Sequence, residues 1–449
     1  SPFDNFTQEQ AAYIWGGKNV SQLLHEITTR NAFISYDIVL KTYHIHSIFL
    51  GLLKDKLEKK DQTFRNNLYH KAAQWYENNG NHAAARHYFY LCQDFDGILA
   101  ALEADKAMIF TFADKELLKK YFCECPEETK AIHHYAVLKF ALCLFIHNET
   151  ALFSQVCQEL PPNIMRDRTL SQIEREQIIG ELELLLSFTA FNDLKQMHIH
   201  HQKAAQLMQQ TVSVYTNKIH WTFGSPSVLY LYYRESGKLS EHIQYMIENM
   251  DVYCRLTDGH GSGAEYLMEA EWHFNQGNLE NAQISLQKAF MKAKLANEST
   301  ILLCVDFLQI RIALLQGDFN QVLKLLYKMR QDMINKAYLH TVEICESCVY
   351  GWLNQPDKIS QQLLATDLKS MHLAYPAFGA FYIVCGRALL VKGDYLKLIG
   401  SAEHYIATDS VFSNLLGIVY TNIYLAAANK KIGREEKALD CLKKALSIA

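Results

Sequence analysis

The sequence predicts a mainly α-helical protein: a tetratricopeptide-like right-handed superhelix of antiparallel helix pairs, preceded by a small winged-helix-like module with one β-hairpin. Three observations carry this. First, turn residues recur at Gly237, Gly277, Gly317, Pro356, Gly393 and Gly433, spaced 40, 40, 39, 37 and 40 residues apart. A period in that range marks a helical repeat array. Second, after Gly277 and Gly433 come Ala282 and Ala438, then Leu286 and Leu442, then Ala289 and Ala445. Small residues at those offsets let paired helices approach closely. Third, 7 Pro and 20 Gly in 449 residues favour long helices over many short strands. The period is longer than the usual tetratricopeptide one of about 34 residues, so the units are tetratricopeptide-like.

Taken in order, residues 6–15 and 20–30 have helical periodicity, with Leu23, Leu24 and Ile27 on one face. The period then changes. Residues 31–36 and 41–46 are short β-prone runs separated by a few residues that include Asp37, the pattern of a hairpin. Helices are expected over 47–59 and 61–76. Two helices, a hairpin and a returning helix outline a winged-helix module, with Lys41 the single cation near its wing. That favours a spacer over DNA readout. The module occupies 1–92 and the repeat array 93–449. Between 95 and 218 the candidate turns are Asn148-Glu149, Pro161-Pro162 and Asn192-Asp193, and residues 221–227 (WTFGSPS) form an irregular loop.

Composition narrows the functional classes. Apolar residues make up 49% and charged residues 20%, the balance of a folded soluble protein, and a net charge of -4 offers no basic stripe for nucleic acid. Eleven scattered cysteines read as reduced thiols of a cytoplasmic protein. No apolar run approaches the roughly 18 residues of a membrane span. Cys345-Glu-Ser-Cys348 has redox or zinc spacing but sits in a helical run, without the second ligand pair that zinc needs. The histidines at 198, 200 and 201 include none of the H-E-x-x-H type, and residues two apart do not share a helix face. Metal is not expected.

The runs NAFISYD, TYHIHSIF and LYHKAAQWYENNGNHAAARHYF carry a resemblance. Asn31, Phe33, Tyr43, His46, Phe49, Leu68, His70, Ala72, Ala73, Trp75, Tyr76 and Gly80 match in order a pattern of the LuxR-type ATP-dependent transcriptional regulators, the maltose-activator-like members of the STAND ATPases. The stretches GSPSVLYLYYRESGKL and RLTDGHGSGAEYLMEAEWHFNQGNLENA look similar to the sensor domains of clostridial-type members, so the resemblance covers most of the chain. It implies a bacterial regulatory segment that senses a small-molecule inducer or a regulatory protein. It also implies an ATPase domain before Ser1 and a DNA-binding helix-turn-helix domain after Ala449. ATP is expected only in the former and DNA contact only through the latter, because no G-x-x-x-x-G-K-[ST] occurs here. The family mechanism implies self-association on activation. No cofactor, catalysis or membrane contact is expected of this segment.

The expected ligand site is Tyr233, Arg234, His260, Tyr266, Glu269 and Trp272. Gly259-His-Gly261-Ser-Gly263 opens a helix whose first N–H groups could receive an anion, and it should bring the aromatic stretch before it beside the helix after it. Arg234 offers a planar fork, Glu269 an acceptor and the rings flat faces. The competing reading is inter-helix packing. Two other functions remain open. A protein-docking scaffold needs a broad concave face, and an α/α-barrel carbohydrate enzyme needs paired carboxylates, for which Glu265 and Glu269 are the candidates.

Overall fold

The computed structural model describes residues 3–17, 19–30, 33–106, 111–214, 220–333, 339–366, 368 and 373–449. Asn31, at the start of the expected first strand, lies outside them. About three quarters of the chain is helical, with one small antiparallel sheet. Contacts divide the chain into two units, Ser1–Met108 with Glu116–Lys139, and Ile109–Lys115 with Phe140–Ala449.

In the first unit the hairpin pairs Ile34–Asp37 with Thr42–Ile45, Ser35 opposite His44 and Tyr36 opposite Tyr43. Asp37 Oδ1 accepts the Val39 and Leu40 N–H groups at 2.8 and 2.9 Å, which turns the chain. A third strand, Asn5–Phe6, pairs with the other side of Thr42–Ile45. The sequence assigned Phe6 to a helix. The helix starts later, at Gln8, because Thr7 and Gln10 form a capping box and Phe6 stacks on Tyr43 with ring centres 5.4 Å apart. Helices Gln8–Trp15, Val20–Arg30, Ser47–Glu58 and Gln62–Asn78 complete the module-like order. Lys139 Nζ donates to the carbonyls of Leu102, Glu103 and Asp105 at 2.9 Å each, capping the end of helix Phe95–Ala104. Burial brings the Lys139 ammonium down to about 8.

Several helices of the second unit are joined by short turns of similar chemistry. Gly237, Gly277, Gly317, Gly393 and Gly433 have φ of 72°, 77°, 75°, 86° and 76°, the left-handed helix end that glycine adopts without a Cβ penalty. After Gly277, Gly317 and the left-handed Ser413, the next residue does two jobs. Asn278 N–H reaches back to the His273 carbonyl at 2.9 Å while its side chain accepts the Asn281 N–H at 3.3 Å. Asp318 does the same with Ala313 at 2.9 Å and Gln321 at 3.0 Å, and Asn414 with Asp409 at 2.8 Å and Gly417 at 3.3 Å. One residue thus closes a helix and starts the next.

Asn148 and Asn192, at expected turns, have φ of 59° and 62°. Two turn assignments change. Pro356 opens a short 3-10 turn, and the left-handed residue there is Asn354 with φ of 55°, because a proline ring fixes φ negative. Pro161 and Pro162 lie inside helix Thr150–Arg166. The helix runs through them because Phe153, Cys157, Leu160 and Ile164 bury one continuous face. Helix Ser299–Gln316, with a mean hydropathy of 1.5, is long and apolar enough to cross a membrane by composition, contrary to the sequence expectation. Here 67% of it is buried within the fold. Cys345 and Cys348 are buried on helix Leu339–Trp352.

A Cβ at Gly277 would meet no atom within 4 Å, so strain there comes from φ alone. Gly277→Val should therefore cost on the order of 1 kcal/mol or more in urea unfolding. A variant that unfolds like the parent would contradict the cap geometry.

Candidate ligand-binding site

The site is organised by the segment expected to be a loop. From His220 to Tyr233 every residue except Phe223 is buried. Loops usually run over the surface because buried backbone needs hydrogen-bond partners. Here surrounding helices and turns supply them. Leu229 N–H donates to Glu271 Oε2 at 2.8 Å, and Trp221 N–H to Thr300 Oγ1 at 3.4 Å. The carbonyls of Gly224, Tyr230 and Leu231 accept from Thr341 Oγ1 at 3.2 Å, Asn414 Nδ2 at 2.6 Å and Asn192 Nδ2 at 3.2 Å. Main-chain N–H groups of Ala374 and Leu415 serve the Phe223 and Tyr233 carbonyls at 3.1 and 2.9 Å.

Glu271 is fully buried, and Arg311 Nη1 lies 3.7 Å from its carboxylate. Burial pushes this carboxyl up, opposed by the Arg311 charge and by the bond from Leu229. Glu298, also fully buried, accepts from Gly261 N–H at 2.8 Å and from Thr300 N–H and Oγ1 at 3.1 and 2.6 Å.

Beside this segment is a cavity of about 60 Å³. Helix Leu194–Leu207 contributes Leu194, Met197, His198 and His201, and helix Leu239–Leu256 contributes Tyr245, Met246, Asn249, Met250 and Tyr253. The inner segment adds His220, Trp221, Phe223 and Tyr232; Leu142, Ile146, Phe188 and His260 complete the lining. Trp221 stacks on Tyr232 at 5.6 Å, and Tyr253 Oη lies 2.9 Å from His260 Nδ1. No Asp, Glu, Lys or Arg is among the described lining residues. His198 and His201 are 7% and 8% exposed, and His198 Nδ1 and His201 Nε2 have no hydrogen-bond partner among the described residues. Burial drives the His201 and His220 imidazoles down to about 3, with neighbouring histidine charge adding to it. Burial also lowers His198. No three His, Cys, Asp or Glu side chains converge as a metal site among the described residues.

Of the six residues expected from sequence, His260 lines this cavity. Tyr266 and Glu269 face helix Leu279–Leu295: Lys288 and Lys292 sit over the Tyr266 ring at 5.4 and 5.8 Å, and Glu269 Oε2 accepts from Ser285 Oγ at 2.7 Å. The Trp272 ring lies 4.8 Å from His273. Arg234 donates to Asn192 Oδ1 at 3.1 Å and lies 3.6 Å from Asp193. Tyr233 Oη is shared by the Ile448 and Ala449 carbonyls, each at 3.2 Å. In the glycine-rich connector, the Gly261 and Gly263 N–H groups go to Glu298 and to Glu265 at 2.8 and 3.1 Å, so internal carboxylates occupy the expected anion position. A Cβ at Gly261 would come within 2.3 Å of Trp221 Nε1, which requires glycine for close approach. The sequence reading weighed His198 and His201 only as metal ligands and set them aside, although they are three apart, a spacing that shares a helix face. Met246 and Met250, and Tyr245, Asn249 and Tyr253, repeat every four residues in the same way.

No protein-family model matches the chain, and no curated protein matches it in sequence.

Two outcomes follow from this geometry. Glu271→Ala strands the Leu229 N–H and the buried Arg311, and should lower unfolding free energy by roughly 3 kcal/mol, whereas Glu271→Gln keeps an acceptor and should lose less. Equal losses would mean that the hydrogen bond is not the main contribution. Folded His201 and His220 charge only near pH 3 but unfolded histidine charges near 6.5, so the unfolded chain binds more protons in between. Stability should fall as pH drops below 6.5. His201→Phe should reduce the loss between pH 6.5 and 5 by on the order of 1 to 2 kcal/mol in pH-resolved urea titrations. An unchanged slope would show that His201 is not held neutral.

Proposed function

We propose that the chain is the ligand-sensing regulatory segment of a bacterial, cytoplasmic LuxR-type transcriptional regulator of the maltose-activator-like class. In this reading residues 1–92 are a winged-helix-like spacer and residues 93–449 a tetratricopeptide-like right-handed superhelix that holds the inducer. The family pattern from Asn31 to Gly80 supports the class, as does the helix–helix–hairpin–helix–helix order of residues 8–78. The recurrent left-handed turns support the repeat array.

The observation that carries the sensing role is the cavity lined by His198 and His201, whose buried Nδ1 and Nε2 atoms have no hydrogen-bond partner among the described residues. A non-catalytic reading is supported by the engagement of the candidate carboxylates: Glu265 is bound to Lys292 at 2.7 Å and Glu269 to Ser285 at 2.7 Å. The inducer acts by population shift. It stabilises one arrangement of the segment relative to the other by about 1.4 kcal/mol for each tenfold difference in affinity, and that change reaches the ATPase and DNA-binding domains. Activation then proceeds through self-association.

A thermal-shift screen of small molecules against the parent and against Met246→Trp, which fills the cavity, tests the site. At a concentration a hundredfold above Kd, a ligand stabilises the folded state by about 2.7 kcal/mol. Compounds should raise the Tm of the parent and leave the variant unmoved. Equal stabilisation of both would place the sensing site elsewhere.

A further inference from the structure

Buried polar atoms in folded proteins are almost always paired, and exceptions call for an explanation. Among the described residues His198 Nδ1 and His201 Nε2 are such exceptions, and both side chains line the same cavity. They lie three residues apart on one face of helix Leu194–Leu207. We propose that the cavity takes an uncharged, hydroxyl-bearing aromatic compound of the simple phenol class, with its hydroxyl at His198 or His201 and its ring against Trp221 and the cavity methionines. This rests on the sensing role assigned to the cavity above.

Charge is the first criterion. The described lining residues include no ionic side chain, and burial keeps His201 and His220 neutral above about pH 3. An ionised ligand would lose its hydration and gain no counter-charge. The polar group is the second. A hydroxyl both donates and accepts, so it satisfies an imidazole nitrogen in either tautomer.

The body of the ligand is the third criterion. Trp221, Tyr232, Phe188 and Phe223 offer ring faces and edges, and Met197, Met246 and Met250 are unbranched side chains that adapt to a ring. Size and polarity also exclude larger classes. A volume of about 60 Å³ has room for a few water-sized groups, so a single ring enters only as the methionines give way. An oligosaccharide or nucleotide brings many hydroxyls or phosphates, and the described lining offers little beyond imidazoles, three tyrosines and Asn249 to pair with them.

The test is a matched series measured by calorimetry on the whole chain at pH 7.5: 4-methylphenol, toluene, benzoate and benzylammonium. 4-Methylphenol should bind about tenfold more tightly than toluene, the ratio expected for one net hydrogen bond, and at least about tenfold more tightly than either ion. His198→Leu and His201→Phe, each checked for a parental circular dichroism spectrum, separate the two nitrogens, and at least one should abolish the preference over toluene. Should one variant fail to fold, the other and the ligand series still decide.

Equal binding of toluene and 4-methylphenol overturns the hydroxyl assignment. Tighter binding of benzoate or benzylammonium overturns the charge assignment. Both results leave the sensing cavity standing if Met246→Trp abolishes that binding. Probes that bind Met246→Trp as well as the parent overturn the cavity itself. No binding of 4-methylphenol at millimolar concentration overturns the proposed ligand class.

Discussion

The peptide groups of residues 220–233 lie away from water, and the second unit is arranged around pairing them. An unpaired buried donor or acceptor costs about 1 to 3 kcal/mol, so several left open would consume the stability of a domain. Side chains that would otherwise be out of place in apolar helix faces become intelligible on this basis. Thr300 sits at the start of the long apolar helix Ser299–Gln316, Glu271 is fully buried, and Asn414 lies at a turn between two helices. Each bonds the inner segment. The segment in turn presents Trp221 and Tyr232 to the cavity, so what keeps the backbone in place also forms one wall of the candidate site.

Much of the helical pattern was legible because its signals are local. A left-handed Gly or Asn followed by Asn or Asp is written within a few residues, and the turns at Gly277, Gly317 and Asn192 follow from it. The interior path of residues 220–233 was not, since Gly224, Ser225, Pro226 and Ser227 have the composition of an exposed loop. Its burial depends on partners about 80 to 190 residues away, Thr300, Thr341 and Asn414, that no local pattern announces.

The candidate site shows the same division. Tyr233 and Arg234 were grouped with Tyr266, Glu269 and Trp272 because a short connector joins their neighbourhoods in sequence. In the structure Arg234 turns to Asn192, while Tyr266 and Glu269 turn to the next helix. His260 was found because the glycines around it are conspicuous. His198 and His201 share a helix face, but spacing alone does not distinguish a cavity wall from a packed interior. The cavity that both side chains line makes that distinction.

Stacked helical repeats usually touch only their neighbours, so such proteins lengthen or shorten by whole units. The inner segment removes that freedom. Asn192 and Asn414, each a hinge between helices, grip it at Leu231 and Tyr230, two adjacent residues, although 222 positions separate them in sequence. The segment therefore works as a ruler. Inserting or deleting a helix pair between those turns would displace the far clamp while the strip it must grasp keeps its length. The number of helices between those turns is thus fixed from within, and variation is directed to the helix faces rather than to their count.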